Sequence, residues 1–418
     1  MSLTPLHLHQ NGAALLEGWS DDGAWRILLP WPEEVRSLPW HRAHEWKELF
    51  LELERSVPVI DHSAPFLGGW VGYISYECMA SEEDVRPRDV HPPEPAMFFA
   101  RHRTGIFIGC GGFKGTAAVP AAVVPASRRH RAGGTPAPQP AGRRRSPGIK
   151  DSLGDGAHAR AVEQIRTAIR DGEVYQVNLT RELTVAGASD PADLYRTLTD
   201  SNPPRSSAFL RANDCTIASA SPEVLLRFDR VYGVAETRPI KGTIRREGDD
   251  AREIETLLAS AKDAAEHLMI VDVARNDLGK VAPPGNVSVS EFRAVRTLQH
   301  LHHLESTVRA TGLQDRTATD VLAALSPAAS ITGAPKRAAV RMIRELEPTA
   351  RGVYCGAIGF IGSRFVELSV AIRTAIATPD SMRYHAGGGI VWDSDPVAED
   401  DETRAKSAAF LRYAGVSE

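Results

Sequence analysis

The chain has 418 residues, 42% hydrophobic and 24% charged, with 49 Lys plus Arg against 53 Asp plus Glu and a formal net charge of −4. This is the composition of a soluble globular protein able to bury a sizeable core, and it lacks the basic excess of a nucleic-acid binder. No apolar run approaches the ~18 residues of a membrane span, and the opening MSLTPLHLHQ has no signal-peptide core, so a cytoplasmic protein with neither nucleic-acid nor membrane partners is expected.

Residues 1–116 read as mixed strands and turns. Phe66–Tyr76 has strand composition interrupted by glycines, which mark bulges or close backbone approach. Residues 117–150 are Ala, Pro, Gly and Arg with almost no large apolar side chain, the composition of a linker or long loop. Order resumes at 151. Val162, Ile165 and Ile169 recur at helical spacing, with Gly172 as the C-terminal stop. Val174–Leu179 alternates as a strand does, and further strands are expected around Thr216–Ala220 and Arg227–Val234. A helical stretch covers about 250–278. Val287–Phe292 reads as a strand, a helix opens near Pro335, and strands follow around 354–361 and 366–374. The last helix begins with Asp395 as N-cap and Pro396 in the first helical position. The four cysteines, Cys78, Cys110, Cys215 and Cys355, are scattered and form no CxxC pair, so neither a disulfide scaffold nor a cysteine zinc site is expected.

Two acidic pairs stand out. Asp263 and Glu266 are three apart in a helical stretch and share a face, as do Glu399 and Glu402, with Lys406 one turn further on. Two such faces meeting would offer hard oxygen ligands suited to Mg²⁺. Taken alone, each pair reads as surface charge complementing a helix dipole. Lys241 lies in Thr237-Arg238-Pro239-Ile240-Lys241-Gly242-Thr243, where Pro fixes the approach and Gly permits close ligand contact; beside Arg238 it is a candidate nucleophile, or else an ordinary solvated lysine. Glu223, after Ser221-Pro222, is a candidate general acid if burial raises its pKa. Thr332-Gly333-Ala334-Pro335 would offer backbone N–H groups at a helix start, and Gly387-Gly388-Gly389 would bring backbone amides close to a carboxylate. Arg373, in the apolar run Val370–Arg373, needs a counter-charge, either a substrate carboxylate or a structural partner. Neither a dinucleotide fingerprint nor a phosphate loop is present.

Several segments, in order over about 151–418, resemble the chorismate-utilising enzymes, and among them the aminodeoxychorismate synthases. They are Gly172–Leu179, Ser221–Glu223, Arg238–Thr243, Glu266–Leu278, His303-Leu304, Ser330–Lys336, Arg351–Gly356, Ala371–Arg373 and Gly387–Lys406; Pro65–Tyr76 matches more loosely. The resemblance implies an α/β (α+β) fold, a large two-sheet sandwich with outer helices, in which 151–418 is the chorismate-binding catalytic part. It implies Mg²⁺ held by Glu266 and Glu402, with Asp263 and Glu399 in the outer shell. Lys406, Arg373, Tyr354, Gly387 and Gly388 would hold substrate carboxylates, with Gly242, Thr243 and Thr332 lining the site. Glu223 would protonate the departing 4-hydroxyl, and His303 would be an active-site histidine.

The Pro-Ile-Lys-Gly-Thr form at Lys241 implies an amine that adds covalently to the ring, giving 4-amino-4-deoxychorismate for 4-aminobenzoate and folate synthesis. Relatives that activate water carry a lysine where Gln176 stands. With no Gly-x-Cys-x-Gly nucleophile in the sequence, ammonia is expected from a separate glutamine amidotransferase chain, and no lyase step is expected here. Pro327-Ala328-Ala329-Ser330, in place of a more glycine-rich approach to the motif, and Glu305 depart from the family's pattern. Anthranilate synthase component I and a non-catalytic chorismate-binding relative are the alternatives, disfavoured by Lys241 and by the intact acid, amine and metal-face residues respectively.

Overall fold

The computed structural model describes residues 8, 10–20, 23–62, 64, 66–83, 91–103, 106–107, 148–187, 190–200, 206–298 and 300–415. Its first part holds β1 (Ala14–Ser20), β2 (Gly23–Leu29), β3 (Glu34–Leu38), α1 (Trp46–Arg55), β4 (Gly69–Ile74), α2 (Tyr76–Ala80), β5 (Met97–His102) and β6 (Ile106–Phe107). Then follow β7 (Ile149–Asp151), α3 (Ala157–Arg170), β8 (Gln176–Ala186), α4 (Pro191–Asp200), β9 (Ser206–Ala212), β10 (Cys215–Ser221), β11 (Val224–Asp229), β12 (Val234–Arg238) and β13 (Ile240–Arg245). The last part holds α5 (Asp250–Ala259), α6 (Ala261–Gly279), β14 (Val287–Thr297), β15 (Leu301–Ala310), α7 (Ala318–Leu325), β16 (Gly333–Ala334), α8 (Lys336–Leu346), β17 (Ala357–Gly362), β18 (Phe365–Val370), β19 (Thr374–Ala377), β20 (Ser381–Ile390) and α9 (Pro396–Tyr413).

Among the described residues the strands form two ten-stranded sheets. One runs β16-β8-β20-β19-β10-β9-β1-β2-β6 with β7 beside β8; the other runs β13-β15-β12-β11-β18-β17-β4-β5-β3 with β14 beside β15. Their inner faces meet in a core of Leu16, Ile27, Leu210 and Ile217 from the first sheet and Val71, Phe98, Ile358 and Phe360 from the second. Helices cover the outer faces: Leu194 of α4 and Phe410 of α9 pack on Leu183, Met382 and Tyr384. This is the expected sandwich. Strands before residue 108 pair directly with later ones, β1 with β9 and β4 with β17. The Ala/Pro/Arg-rich stretch lies outside the described residues up to 147, and its end, Ile149 and Lys150, opens β7. No helix among the described residues is long and apolar enough to cross a membrane. Cys78, Cys215 and Cys355 are free and buried; Cys110 lies outside the described residues.

Local chemistry explains where the elements begin and stop. The Asp395 carboxylate accepts from the N–H groups of Val397 and Ala398, with Pro396 opening α9 as expected. The expected helix over 250–278 is two helices, because Ser260 leaves helical geometry and its hydroxyl accepts from the Asp263 N–H, capping α6. The expected strand at 227–234 is a hairpin of β11 and β12, whose turn Asp229 stabilises by accepting from the Val231 and Tyr232 N–H groups. Gly72 is required by close approach: a Cβ there would stand 1.9 Å from the Phe98 carbonyl oxygen of β5. The strand expected at 366–374 breaks after Val370, and Arg373 adopts φ 49° in the turn to β19.

Candidate active site between the sheet ends

Strand β8 is buried on both faces but divides them by chemistry. Val177 and Leu179 join the apolar core that includes Val162 and Ile165 of α3. Gln176, Asn178 and Thr180, at alternate positions, share the opposite face. Gln176 is fully buried, and neither atom of its amide has a hydrogen-bond partner. The Asn178 amide donates to the Ser330 carbonyl at 2.7 Å. Thr180 lies opposite Gly387, in hydrogen-bonding contact with the Tyr354 hydroxyl.

Gly387, Gly388 and Gly389 on β20 pair with Thr180, Leu179 and Asn178. Their lack of side chains makes room for polar groups. A Cβ at Gly389 would come 2.7 Å from Gln176 Nε2 and 2.9 Å from Lys241 Nζ; one at Gly387 would come 2.5 Å from Thr180 Oγ1. At Gly388 it would meet Glu399 Oε2 at 3.2 Å and Glu402 Oε1 at 4.0 Å. The glycine run thus brings β8, β13 and α9 together, and at Gly387 the carbonyl is engaged, accepting from Lys406 Nζ at 2.9 Å.

Lys241 lies on β13, not in an open turn. Its Nζ is 2.8 Å from Glu266 Oε2, and Lys262 is 3.9 Å from the other carboxylate oxygen. Glu266 is buried, and its Oε1 accepts no hydrogen bond. Gly242 sits at φ 91°, where a side chain would press within 3.3 Å of Asp263 Cβ. Arg238, expected as the cation beside Lys241, pairs with Glu236 at 3.0 Å. Two residues escape a reading of the sequence alone: His267 and Ser306. One His267 ring nitrogen meets the Lys241 carbonyl at 3.0 Å and the other meets the Ser306 hydroxyl at 2.6 Å, pinning the strand that carries Lys241. Burial holds His267 below its ordinary pKa, so it is a neutral support.

On α9, Glu402 pairs with Lys406 at 2.7 Å while its side chain stays 54% exposed. Buried Glu399 accepts from the Ser394 hydroxyl at 2.6 Å. Burial raises Glu399 and neighbouring Glu402 adds to this, against the Ser394 hydrogen bond. Partial desolvation acts to raise Glu402 too, but Lys406, with Lys241 and Lys262, holds it below its ordinary value. Lysines of α6, β13 and α9 therefore share one field with carboxylates of α6 and α9. Glu266, Glu399 and Glu402 are hard oxygen donors of the kind a divalent cation takes, but the acidic group whose ligand atoms converge within 4.8 Å among the described residues is Asp250, Glu253 and His302.

Glu223 follows β10 and is fully buried; burial pushes its carboxyl up to about 8, Glu305 adds to the rise, and Ser330 and Lys241 oppose it. The Ser330 hydroxyl donates to Glu223 Oε1. Glu305 and His303 sit two apart on β15, so they share a face; Glu305 is buried and paired with Arg296 at 3.1 Å. His303 is buried opposite exposed Thr243. Tyr354 stacks on His385 at 5.0 Å, and His385 is 3.3 Å from Glu182. Thr332 is fully buried, its hydroxyl donating to the Ala328 carbonyl at 2.8 Å and its N–H to the Ala329 carbonyl at 3.3 Å. The Thr332 N–H is therefore engaged within the chain. Arg373 is exposed in its left-handed turn between β18 and β19.

Known proteins resemble this chain in sequence and in fold. The chorismate binding enzyme family matches residues 22–412. Anthranilate synthase component 1 of Saccharolobus solfataricus is 35% identical over 386 residues, 87% of this chain and 84% of that protein. Aminodeoxychorismate synthase component 1 of Salmonella typhimurium is 41% identical over 258 residues, 61% of this chain and 56% of that protein, so the match spans little more than half of that relative. The crystal structure of anthranilate synthase component I from Streptococcus pneumoniae aligns with TM-score 0.75 and 27% identity over 93% of this chain and 92% of that one. The menaquinone-specific isochorismate synthase of Escherichia coli shares the fold, with TM-score 0.69 and 18% identity over 99% of this chain and 91% of that one. A two-sheet sandwich with its polar cluster at the β8–β20 end, matched along nearly its whole length, places this chain in the family of chorismate-binding enzymes.

Proposed function

We propose that the chain converts chorismate and ammonia into 4-amino-4-deoxychorismate, the precursor of 4-aminobenzoate, as the aminase component of aminodeoxychorismate synthase. The observation that carries this reading is Lys241, its amine 2.8 Å from Glu266 and beside the buried amide of Gln176. The Lys241 amine adds to ring carbon C2 as the C4 hydroxyl departs, and the proton from Glu223 lets it leave as water. Ammonia then adds at C4 and the C2–lysine bond breaks, returning the amine. Gln176 cannot take a proton from water at neutral pH, which disfavours a hydroxylated product. Magnesium held by Glu266 and Glu402, with Asp263 and Glu399 behind them, would neutralise the ring carboxylate and draw charge from the diene. Lys406 and Tyr354 orient the substrate beside the glycine run, and a separate glutamine amidotransferase supplies ammonia.

One observation favours a second reading, anthranilate synthase component I. The match to the Saccharolobus solfataricus protein of that name covers 84% of its length, against 56% for the Salmonella typhimurium aminodeoxychorismate synthase. One assay separates them. Purified protein with chorismate, Mg²⁺ and ammonium yields 4-aminobenzoate once a lyase is added; anthranilate as sole product overturns the first reading.

A further inference from the structure

We propose that Ser330 is a positioning residue for Glu223: its hydroxyl holds one carboxyl oxygen, so that the other carries the transferable proton. The inference rests on the reading of Glu223 as the acid and adds the group that orients it.

The acid's backbone is fixed first. The Glu223 N–H donates to the Ser221 hydroxyl at 3.2 Å, and that hydroxyl donates to the Val370 carbonyl at 2.6 Å. The side chain then ends in a buried carboxyl whose Oε1 accepts from Ser330 Oγ. Ser330 is itself held. It occupies a single 3₁₀ turn, Ala329–Ile331, closed by the Thr332 hydroxyl on the Ala328 carbonyl, and its own carbonyl accepts from the Asn178 amide at 2.7 Å. A serine hydroxyl has one proton to donate. A neutral carboxyl that accepts it at Oε1 keeps its own proton on Oε2, and after transfer the same hydrogen bond stabilises the carboxylate.

The charged and titratable groups facing Glu223 are Glu305 from β15, Lys241 from β13 and the buried Cys355 thiol ahead of β17. Glu305 and burial oppose ionisation, while Lys241 and Ser330 favour it. Removing the hydroxyl therefore raises the proton affinity of Glu223.

The test uses the whole chain labelled with ¹³C at the glutamate side-chain carboxyl, the Glu223 signal being assigned by its loss in Glu223→Gln. In Ser330→Ala the Glu223 titration midpoint should rise by about one pH unit. The basic limb of the kcat profile with chorismate, Mg²⁺ and ammonium should move the same way, and kcat at pH 7.5 should fall about tenfold with KM unchanged. Ser330→Thr should restore both. If the alanine variant fails to fold, Ser330→Cys, a weaker donor, should show the same shift in reduced form. An unmoved midpoint in a folded variant overturns the proposal. A moved midpoint with an unmoved limb supports the hold on Glu223 and removes Glu223 from the acid's role.

Discussion

The space between the sheets has two ends built on one plan and filled with opposite chemistry. At the end formed by β1, β2, β4 and β5, side chains such as Leu16, Ile27, Val71 and Phe98 meet with water excluded, and Phe66 packs edge-on against Phe360. At the β8–β20 end strands β8 and β13 bring Gln176 and Lys241 together, and helices α6 and α9 add Glu266 and Glu399. Each large apolar side chain buried at the first end contributes about 1.5–3 kcal/mol. Each polar or charged group buried at the second costs free energy unless it is paired. The two ends differ in their inner-facing residues and in the helices α6 and α9 that add carboxylates to the polar one. The polar end is thus a site carried by a fold stabilised elsewhere.

Lys241→Ala gives the largest expected effect. Aminodeoxychorismate formation should fall at least ~10³-fold, about 4 kcal/mol of barrier, or the product should shift to anthranilate. Liquid chromatography of the products reads both, and an unchanged rate and product would detach Lys241 from the chemistry. The opposite end should respond in stability instead. Phe360→Ala removes a buried ring in edge contact with Phe66 and should cost about 3–5 kcal/mol in denaturant unfolding. The product of the folded fraction should not change; a change would mean that the two ends are coupled.

Glu223 tests whether the polar end is a thermodynamic burden. Its folded carboxyl titrates near 8 against an ordinary 4.5. Between those values the folded protein keeps a proton that the unfolded chain has released. Stability therefore falls as pH rises from about 4.5 to about 8, by about 1.4 kcal/mol per unit. Glu223→Gln should remove most of that slope in thermal melts at pH 5 and pH 8, while turnover falls about 10²–10⁴-fold. A slope that survives the substitution would place the burden on another group.

The sequence discloses these two ends unequally. Alternation over Val174–Leu179 reveals the strand that becomes β8, and helix ends are readable where a side chain caps them, as at Asp395. The expected strand at 366–374 fails because composition does not show that Arg373 turns the chain with a positive φ. Strand β15 goes unread because its inner face carries His303, Glu305 and Thr307, which look like surface until the fold buries them. The pairing of β1 with β9 joins residues almost two hundred positions apart and leaves no local mark. In the site, helical spacing puts Glu399 and Glu402 on one face but cannot tell a solvated face from a buried one; motif order makes that distinction. His267, Asn178 and Ser330 lie within or beside those motifs, and only their contacts show what they hold.

The smallest expected effect is also the sharpest contrast between the ends. Gln176 is fully buried with both amide atoms unpartnered, which costs free energy in the free protein. Gln176→Leu keeps a similar volume and removes that cost, so stability should stay level or rise by about 1 kcal/mol. Turnover should nevertheless fall, because an apolar side chain beside Lys241 offers no hydrogen bond to substrate or ammonia. An equal substitution at the apolar end has the opposite sign, since a polar group in place of Leu210 would be buried without a partner. Calorimetry of the two variants side by side measures this reversal. A Gln176→Leu protein that loses several kcal/mol would show that the amide has a structural partner, and that the polar end helps to hold the sandwich together.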